Sequence, residues 1–355
     1  MKNIKVKLKQ NAYEIVFDSF NSENFQAKFN AFAENRAILT VSDKKIQKLY
    51  PLFIYRYGKF FAFPGGEEYK RLSEIERLCE FAVGEKFDRK SLFVAIGGGI
   101  VGDMTGFAAS IFMRGVEFIQ IPTTLLAMVD SSVGGKTGVN IDSGKNLIGA
   151  FKQPKMVLID VNFLKTLSER EIKNGLAEVI QYALGLDKEF FEILKNNVNK
   201  INSLDLEFYN KMIHRCCEIK ADVVSKDEKE TKDLRALLNY GHTFGHALEK
   251  LSDFEISHGE GVAIGMNIAG KVAELAKLWS NEDYLQQLEL IKSLNLRYAI
   301  PKKIKIDDII EVMTCDKKAS QGKINFVLPT AIGKSELVGD IDLGLVKKAL
   351  EMCYE

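Results

Sequence analysis

Apolar and polar positions alternate with a period of two in two stretches near the N-terminus. The stretches are residues 4–8 and 13–17, and the alternation predicts two half-buried β-strands. Residues 72–82 instead carry apolar side chains at helical spacing. Short apolar runs predict further strands at residues 37–41, 91–96, 118–121 and 156–159. Strands that alternate with helices favour a mostly parallel sheet covered by helices, so an α/β domain is predicted here.

The second half of the chain has apolar residues mainly at helical spacing. Ser168 and Glu171 have the spacing of a capping box, which predicts that a helix begins there. Two more helices are predicted over residues 206–224 and 261–278, and only residues 323–328 alternate like a strand. This half is therefore predicted to be an all-helical domain apart from that short segment.

The length of the chain, 355 residues, favours two domains over a single core. We place the boundary near residue 168, which gives an α/β domain over residues 1–167 and a mostly helical domain over residues 168–355. The formal net charge of +1 gives no indication of a nucleic-acid or membrane partner. The N-terminus lacks the apolar run of a signal peptide and no stretch is long enough to span a bilayer, so a cytoplasmic protein is expected.

The chain has five cysteines, and none of them belongs to a CxxC pair. A disulfide framework is not expected in a chain of this size, so the thiols are predicted to be reduced. A metal site would therefore use histidines and carboxylates.

Glycines directly follow the strand predicted at residues 91–96. Gly97, Gly99 and Gly102 have the G-x-G-x-x-G spacing with which a strand-to-helix turn binds a dinucleotide pyrophosphate. A tight turn without a ligand is the alternative. No acidic residue follows about twenty positions later, where a dinucleotide fold usually has one. Asp43, at the end of an earlier strand, is the candidate for the ribose hydroxyls, with a helix N-cap as the alternative.

A second glycine-rich segment, DSSVGGKTG, covers residues 130–138. Its GKT sequence resembles a Walker A loop, but Asp130 occupies the position of the first glycine, which argues against a P-loop ATPase. Lys136 and Lys145 are expected in polar loops suited to anions. Solvated surface lysines are the alternative for both.

Three of the four histidines, His242, His246 and His258, lie close together in the sequence. His242 and His246 are four residues apart and share one face of a predicted helix, and His258 is expected in the loop before the next helix. Catalytic zinc commonly takes two histidines and one carboxylate. Glu178 is the candidate carboxylate, since it is isolated on a largely apolar helix where an unpaired charge is costly to bury. The alternative is that each histidine is an ordinary polar residue.

The chain contains, in this order, GGGIVGD, IPTTLLAMVDSSVGGKTGVN, GKNLIGAF, GLAEVI, LRALLNYGHTFGHALE and HGEGVA. These motifs and their spacing, over about residues 64–330, resemble the 3-dehydroquinate synthases. The resemblance implies an N-terminal NAD-binding α/β domain, a helical metal- and substrate-binding domain, and a homodimer.

The resemblance also implies roles for single residues. Glu178, His242 and His258 match the metal ligands, with zinc expected and cobalt as a substitute, and His246 matches a catalytic histidine near the phosphate. The NAD contacts are matched by Gly65, Gly66, Glu67, Glu68, Tyr69, Lys70, Gly99, Ile100, Val101, Gly102, Asp103, Thr123, Thr124, Lys136, Lys145, Phe163, Leu164, Lys165 and Thr166. The substrate contacts are matched by Asp130, Lys136, Asn146, Lys220, Arg235, Asn239, one of Lys317 and Lys318, and Arg114, which reaches the site of the partner subunit.

The chain departs from the family pattern at Gln181, where the family has a lysine. Gln181 lies one helical turn after Glu178, so it is expected to face the same cleft. A neutral amide binds an anion more weakly than an ammonium, by about 1 kcal/mol. We therefore expect weaker substrate binding without loss of the reaction.

The resemblance implies conversion of 3-deoxy-D-arabino-heptulosonate 7-phosphate to 3-dehydroquinate and phosphate, in the shikimate pathway of aromatic amino acid biosynthesis. The implied steps are transient oxidation of a hydroxyl by NAD, elimination of phosphate, return of the hydride and an intramolecular aldol closure. Because NAD is regenerated, the enzyme would be a carbon–oxygen lyase and not a net dehydrogenase.

Three other functions stay open on the sequence. A metal-dependent polyol dehydrogenase would share the fold, but Lys220 and Arg235 have no role with a neutral alcohol. Another sugar phosphate cyclase would act on a substrate without the carboxylate that Arg235 is suited to bind. A non-catalytic metal- or nucleotide-binding regulator would fail a turnover assay.

Overall fold

The structure is a computed structural model that describes residues 2–253, 255–318 and 324–355, with the side chains of 315–318 outside the described set. The chain divides into two compact units. The first is Met1–Leu167 with Cys216–Lys229, and the second is Ser168–Arg215 with Glu230–Glu355. The domain limits expected from the sequence stay a prediction, and the structural division adds residues 216–229 to the first unit.

The first unit is built on a seven-stranded sheet with the strand order β1-β2-β9-β6-β5-β3-β4. All neighbouring strands in it are parallel except β1 and β2. Two further strands, β7 and β8, form a separate antiparallel hairpin. The nine strands are β1 (Ile4–Val6), β2 (Tyr13–Phe17), β3 (Ile38–Asp43), β4 (Lys59–Phe63), β5 (Leu92–Gly97), β6 (Glu117–Pro122), β7 (Lys136–Ile141), β8 (Gly144–Phe151) and β9 (Met156–Ile159).

In the described part of this unit, the strands are connected by the helices α1 (Glu23–Ala33), α2 (Lys44–Leu49), α3 (Pro51–Ile54), α4 (Leu72–Gly84) and α5 (Gly99–Ile111). Short 3₁₀ helices occupy Glu67–Tyr69, Phe112–Arg114 and Val161–Thr166, and a π-helical turn occupies Ala127–Ser131. Every residue of β5 is buried, as expected for a central strand covered on both faces. Helices α4 and α5 pack Leu78, Met104 and Phe107 against β3 and β5 in one continuous core.

The direction in which the chain crosses the sheet reverses between β3 and β5. From β3 the chain continues outward to β4 at the edge, whereas from β5 it continues to β6 on the opposite side. In open α/β sheets, ligands bind at the carboxyl ends of the strands on either side of such a reversal. These ends carry Asp43 on β3 and Gly97 on β5.

The second unit is mainly helical, and α9 passes from it into the first unit at residue 216. Its helices are α6 (Glu169–Leu186), α7 (Lys188–Lys195), α8 (Val198–Asn202), α9 (Leu206–Lys226), α10 (His242–Leu251), α11 (His258–Leu275), α12 (Asn281–Ser293), α13 (Ile306–Lys318) and α14 (Leu343–Met352). A 3₁₀ helix covers Arg235–Asn239. Helix α11 is buried along nearly its whole length, and its sequence is mostly apolar, with Asn267 and Lys271 among the few buried polar residues.

Several predicted boundaries are confirmed. β9 has the predicted limits, and Ser168 caps α6 by accepting a hydrogen bond from the Glu171 N–H. The second unit is mainly helical as predicted, and the exception expected near residue 326 is a strand, β10 (Phe326–Ala331), which pairs with a strand that was not predicted, β11 (Lys334–Val338), in an antiparallel hairpin. Only part of the strand predicted at residues 323–328 is tested, since Lys323 lies outside the described residues.

The polar loops predicted around Lys136 and Lys145 are wrong. Lys136 begins β7 and Lys145 lies in β8, so both belong to a hairpin. Its strands approach closely, because a Cβ on Gly149 would lie 2.2 Å from the Thr137 carbonyl oxygen. Glycine, which usually weakens a strand, is required here by close backbone packing. None of the described helices is long and apolar enough to cross a membrane.

Candidate functional site

Three side chains of the second unit converge to form a candidate metal centre. Glu178 is almost fully buried in the middle of α6, and His242 and His258 are the first residues of α10 and α11. The Nε2 atoms of His258 and His242 lie 2.9 Å and 3.4 Å from the same Glu178 Oε1. The expectation that His258 lies in a loop is wrong: Ser257 caps α11 and Glu260 completes a capping box, which places His258 in the first helical turn.

The electrostatics of this cluster favour bound positive charge. Burial opposes protonation of His258, but the carboxylates of Glu178 and Glu249 outweigh it and raise the pKa of its imidazole to about 10. Burial also opposes ionisation of Glu178, and His242 and His258 overcome it, so the pKa of this carboxyl lies below its ordinary value. Two imidazole nitrogens and one carboxylate oxygen form a donor set that fits zinc with an open position. Among the described residues, this set can hold a metal ion.

His246 lies beside this cluster on α10. Its ring centroid is 5.3 Å from that of His242 and 5.9 Å from that of His258. Unlike the other two histidines, it is exposed and does not belong to the group formed with Glu178. It instead lies with His258 and Glu249 in a second group whose nitrogen and oxygen atoms are within 4.8 Å of one another.

Glu249 is a site residue that the sequence reasoning missed. Its side chain is only 3% exposed, and its Oε1 lies 3.0 Å from the Nδ1 atom of His258. A signal was present, because Glu249 is seven residues after His242 on α10 and therefore shares its face. That spacing does not show which residue of α11 it contacts.

In the first unit, the glycine motif lies where the sequence predicted it. β5 ends at Gly97, Gly98 caps α5, and α5 begins at Gly99. A Cβ on Gly102 would lie 2.6 Å from the Gln120 side chain on β6, so glycine allows α5 to pack closely on the sheet. The free N–H groups in the first turn of α5 therefore face the carboxyl end of the sheet.

Predicted NAD residues surround this turn. Thr123 donates its backbone N–H to the Gly97 carbonyl, and its buried hydroxyl has no protein partner among the described residues. Thr124 packs against Gly98, and its hydroxyl accepts a hydrogen bond from the Ala127 N–H. Asp43 is the N-cap of α2, the alternative to a ribose contact, because its side chain accepts a hydrogen bond from the Ile46 N–H. It also lies next to Gly65.

Lys70 is the centre of a buried polar cluster. Its Nζ atom donates to Asp103 Oδ2 at 2.6 Å and to Asn146 Oδ1 at 2.7 Å. Burial raises the pKa of Asp103, although Lys70 opposes this shift. Asn140, which the sequence reasoning also missed, accepts from the Asn146 N–H and donates to Glu67. The cluster links three predicted NAD residues to one predicted substrate residue.

A second ion pair joins Asp130 and Lys220. Lys220 is 5% exposed, and its Nζ atom donates to both the side chain and the carbonyl of Asp130 at 2.5 Å and 2.6 Å. Asp130 lies in the π-helical turn, a rare geometry that is frequent at functional sites. These two predicted substrate residues are therefore held together by hydrogen bonds.

The other predicted residues are more dispersed. Lys136 and Arg114 are exposed, and Arg114 has a positive φ of 64°, which is uncommon outside glycine. Phe163 packs against Tyr50, whose hydroxyl contacts Thr166. In the second unit, Arg235 is buried at the start of the 3₁₀ helix that Asn239 ends. The side chains of Lys317 and Lys318 lie outside the described residues. The remaining predicted positions, Gly66, Glu68, Tyr69, Ile100, Val101, Leu164 and Lys165, lie in or beside the elements named above.

Gln181 lies in the interior of the second unit, and its expected orientation towards the substrate stays a prediction. Its side chain is fully buried, and its Nε2 atom donates to the Leu237 carbonyl at 3.2 Å. Glu178, three positions earlier on the same helix, is buried as well. The Oε1 atom of Gln181 has no hydrogen-bond partner among the described residues. Gln181 thus ties α6 to the segment that carries Arg235 and Asn239.

Comparison with solved structures defines the class of this fold. The chain matches 2-deoxy-scyllo-inosose synthase in complex with carbaglucose-6-phosphate, NAD+ and Co2+, with a TM-score of 0.89, 28% identity, and coverage of 99% of this chain and 100% of the other. It also matches 2-epi-5-epi-valiolone synthase from Streptomyces hygroscopicus with bound NAD+ and Zn2+, with a TM-score of 0.87, 26% identity and 98% coverage of both chains. The fold is that of the dehydroquinate synthase-like cyclases.

Sequence comparison gives the family. The family model described as 3-dehydroquinate synthase N-terminal matches residues 60–174, and its C-terminal counterpart matches residues 175–319. The 3-dehydroquinate synthases of Prochlorococcus marinus and Rippkaea orientalis are 47% and 43% identical, covering 95% and 98% of this chain and 96% and 97% of theirs. The chain belongs to the 3-dehydroquinate synthase family, and it is an enzyme of the lyase-type cyclase class.

Proposed function

We propose that this enzyme converts 3-deoxy-D-arabino-heptulosonate 7-phosphate to 3-dehydroquinate and phosphate with NAD and a divalent metal, preferentially zinc. The observation that carries the proposal is the convergence of His242 and His258 on one oxygen of Glu178, in a chain of this family. The solved relatives that contain NAD+ with Zn2+ or Co2+ support the same cofactors here.

Glu178, His242 and His258 are the proposed metal ligands. When bound, the metal supplies Lewis acidity to a substrate hydroxyl and the dinucleotide supplies a reversible hydride acceptor. The chain contributes an ionised, buried carboxylate and two imidazole nitrogens directed at one point. His246, which is exposed beside them, is proposed to exchange a proton or stabilise charge at the phosphate through a ring nitrogen.

The proposed dinucleotide site is the carboxyl end of the sheet in the first unit. The first turn of α5 provides free N–H groups for a pyrophosphate, and the unpartnered hydroxyl of Thr123 provides a further group for a ligand. The buried Lys70–Asp103 pair is rigidly hydrogen-bonded, which suits it to fix the orientation of a bound ring or ribose. Asp43 uses one carboxylate oxygen for its cap, so a ribose contact would use the other.

The substrate has anionic ends, and the proposed contacts carry matching charge. Lys220 is held by Asp130, which keeps its ammonium at a fixed position, and Lys136 and Asn146 are the other proposed contacts in the first unit. In the second unit Arg235, with Asn239 on the same 3₁₀ helix, is suited to bind a carboxylate through two parallel hydrogen bonds. Arg235 is the residue that selects a carboxylate-bearing substrate.

A second candidate is cyclisation of another sugar phosphate, and the fold similarity to 2-deoxy-scyllo-inosose synthase favours it. The test supplies the purified enzyme, zinc and NAD with either the heptulosonate phosphate or glucose 6-phosphate, and measures phosphate and carbocyclic product. We expect equal amounts of both products from the heptulosonate phosphate and none from glucose 6-phosphate. The reverse preference would replace the substrate assignment with the second candidate, and no turnover of either would contradict the enzymatic proposal.

A further inference from the structure

Helices α10 and α11 approach unusually closely, and glycines make the approach possible. A Cβ on Gly265 would lie 2.0 Å from the carbonyl oxygen of Gly241, and one on Gly245 would lie 2.9 Å from the carbonyl oxygen of Gly261. Real Cβ atoms do not come so close to backbone oxygens, so any larger residue would push the helices apart. The contact pairs run in opposite directions along the chain, which gives the antiparallel register 241 with 265 and 245 with 261.

The same register places Glu249 beside His258. Glu249 lies four residues after Gly245, and His258 lies three residues before Gly261, so they form the next step of the crossing. A Cβ on Gly261 would lie 3.3 Å from Glu249 Cγ, so the glycine leaves the space in which the Glu249 side chain lies. The close approach of α10 and α11 at their glycines therefore places the Glu249 carboxylate beside His258, the first residue of α11.

The two ring nitrogens of His258 face two different carboxylates. Nε2 lies 2.9 Å from Glu178 Oε1, and Nδ1 lies 3.0 Å from Glu249 Oε1. Metal binding would remove the proton from Nε2, and Glu249, whose carboxylate is an acceptor only, would then hold the remaining proton on Nδ1 and leave the Nε2 lone pair for the metal. The corresponding Nδ1 of His242 faces the neutral carbonyl of Tyr240 at 3.4 Å, a weaker partner.

We propose that Glu249 is a positioning residue for the metal centre: it fixes the tautomer and ring orientation of His258 and strengthens this ligand. The inference rests on the proposed function, because it assumes that Glu178, His242 and His258 bind a metal. Glu249 acts through His258 and is not itself a ligand, since its oxygen lies at the ring nitrogen that does not face Glu178.

The test measures zinc affinity by competition with a chromophoric chelator, for the unaltered enzyme and for Glu249→Gln and Glu249→Leu. We expect Glu249→Leu to bind zinc about ten- to a hundredfold more weakly. Glu249→Gln should lose less, because its amide oxygen still accepts the Nδ1–H hydrogen bond. Glu274→Gln removes an ion pair with Lys271 elsewhere on α11 and should leave the affinity unchanged.

A second readout separates positioning from a general effect on folding. The ring 15N shifts of His258 in the zinc-loaded enzyme should show Nδ1 protonated in the unaltered chain and in Glu249→Gln. Glu249→Leu should lose this single tautomer while the metal-free protein keeps its cooperative thermal unfolding. If Glu249→Leu does not fold, the zinc affinity of Glu249→Gln decides the case: weaker zinc binding would support a role for the carboxylate charge, and an unchanged affinity would contradict it.

Three results would overturn the inference, and each has a different meaning. Equal zinc affinity in all variants would overturn the role of Glu249 alone and leave the metal proposal intact. Two zinc ions per chain, one of them lost in Glu249→Gln, would make Glu249 a ligand. Absence of zinc binding by the unaltered enzyme would overturn the metal proposal and the inference with it.

Discussion

At the scale of single residues, His242 and His246 lie one helical turn apart and have two different proposed roles. Both lie on α10, but only His242 contacts Glu178, whereas His246 is exposed. We expect His246→Ala to keep its zinc and to lose turnover about a hundredfold or more, as for loss of a general acid or base. His242→Ala should lose both, because it removes a ligand. Metal analysis and turnover of the two variants check this, and loss of zinc from His246→Ala would mean that His246 is a ligand.

Gln181 is fully buried, which the sequence did not predict. Because its side chain is buried, Gln181→Lys would place an ammonium in the interior, where the charged form is disfavoured. We expect its free energy of unfolding to fall by about 2 kcal/mol or more. Gln181→Met, which carries no charge, should be less destabilising, although the Leu237 carbonyl loses its donor.

Chemical denaturation of both variants, together with the Michaelis constant for the heptulosonate phosphate, checks the prediction. A stable Gln181→Lys enzyme with a severalfold lower Michaelis constant would contradict it. That outcome would support the expectation from the sequence, in which position 181 faces the substrate.

The residues that the sequence identified are those with a strong local signal. Glu178 was indicated by a charge on an apolar helix, and the clustered histidines by their spacing. Glu249 and Asn140 were missed because their partners, His258 and Asn146, are fixed only by tertiary packing. The burial of Gln181 was missed for the same reason, since helical spacing alone gives a direction only to within a fraction of a turn.

At the scale of elements, the glycines of α10 and α11 set the geometry of the proposed metal centre. We expect Gly265→Ala to lower the free energy of unfolding by about 1–3 kcal/mol, because its methyl group would overlap the Gly241 carbonyl. The same change should weaken zinc binding by moving His258 relative to Glu249. Gly84→Ala is a matched control on α4, where nothing lies within 4 Å, and should be neutral or slightly stabilising.

Thermal unfolding of the metal-free proteins and zinc competition check both halves of this prediction. A Gly265→Ala variant as stable as the unaltered enzyme would show that the helices separate without cost. Unchanged zinc affinity would show that the crossing does not control the ligands.

Strands and helices with a continuous apolar pattern were predicted well, whereas the hairpin in which glycines allow close packing of two strands was not. Strands β5 and β9 and helix α6 follow directly from apolar runs and a cap. The β7–β8 hairpin was predicted to be loops, because its glycines resemble turn residues when their close backbone neighbours are unknown. A glycine pattern therefore identifies close packing only once the second element is placed.

At the scale of the whole molecule, the chain combines the proposed dinucleotide site on the sheet of one unit with the proposed metal centre in the other unit. The homodimer, the cytoplasmic location and the contribution of Arg114 to a partner's site stay predictions. A polyol dehydrogenase would use the same two kinds of site, so their presence does not separate net oxidation from cyclisation. The two activities differ in the fate of the hydride, which stays on NADH in a net dehydrogenase and returns to the substrate in a cyclase.

The most direct measurement follows nicotinamide absorbance and phosphate release together while the zinc-loaded enzyme turns over the heptulosonate phosphate with NAD. We predict that phosphate appears continuously while the absorbance of NADH stays flat, because each hydride returns to the substrate before product leaves. Omission of NAD from a cofactor-stripped enzyme should abolish phosphate release. Accumulation of NADH in step with substrate consumption would contradict the cyclase account and identify a net dehydrogenase.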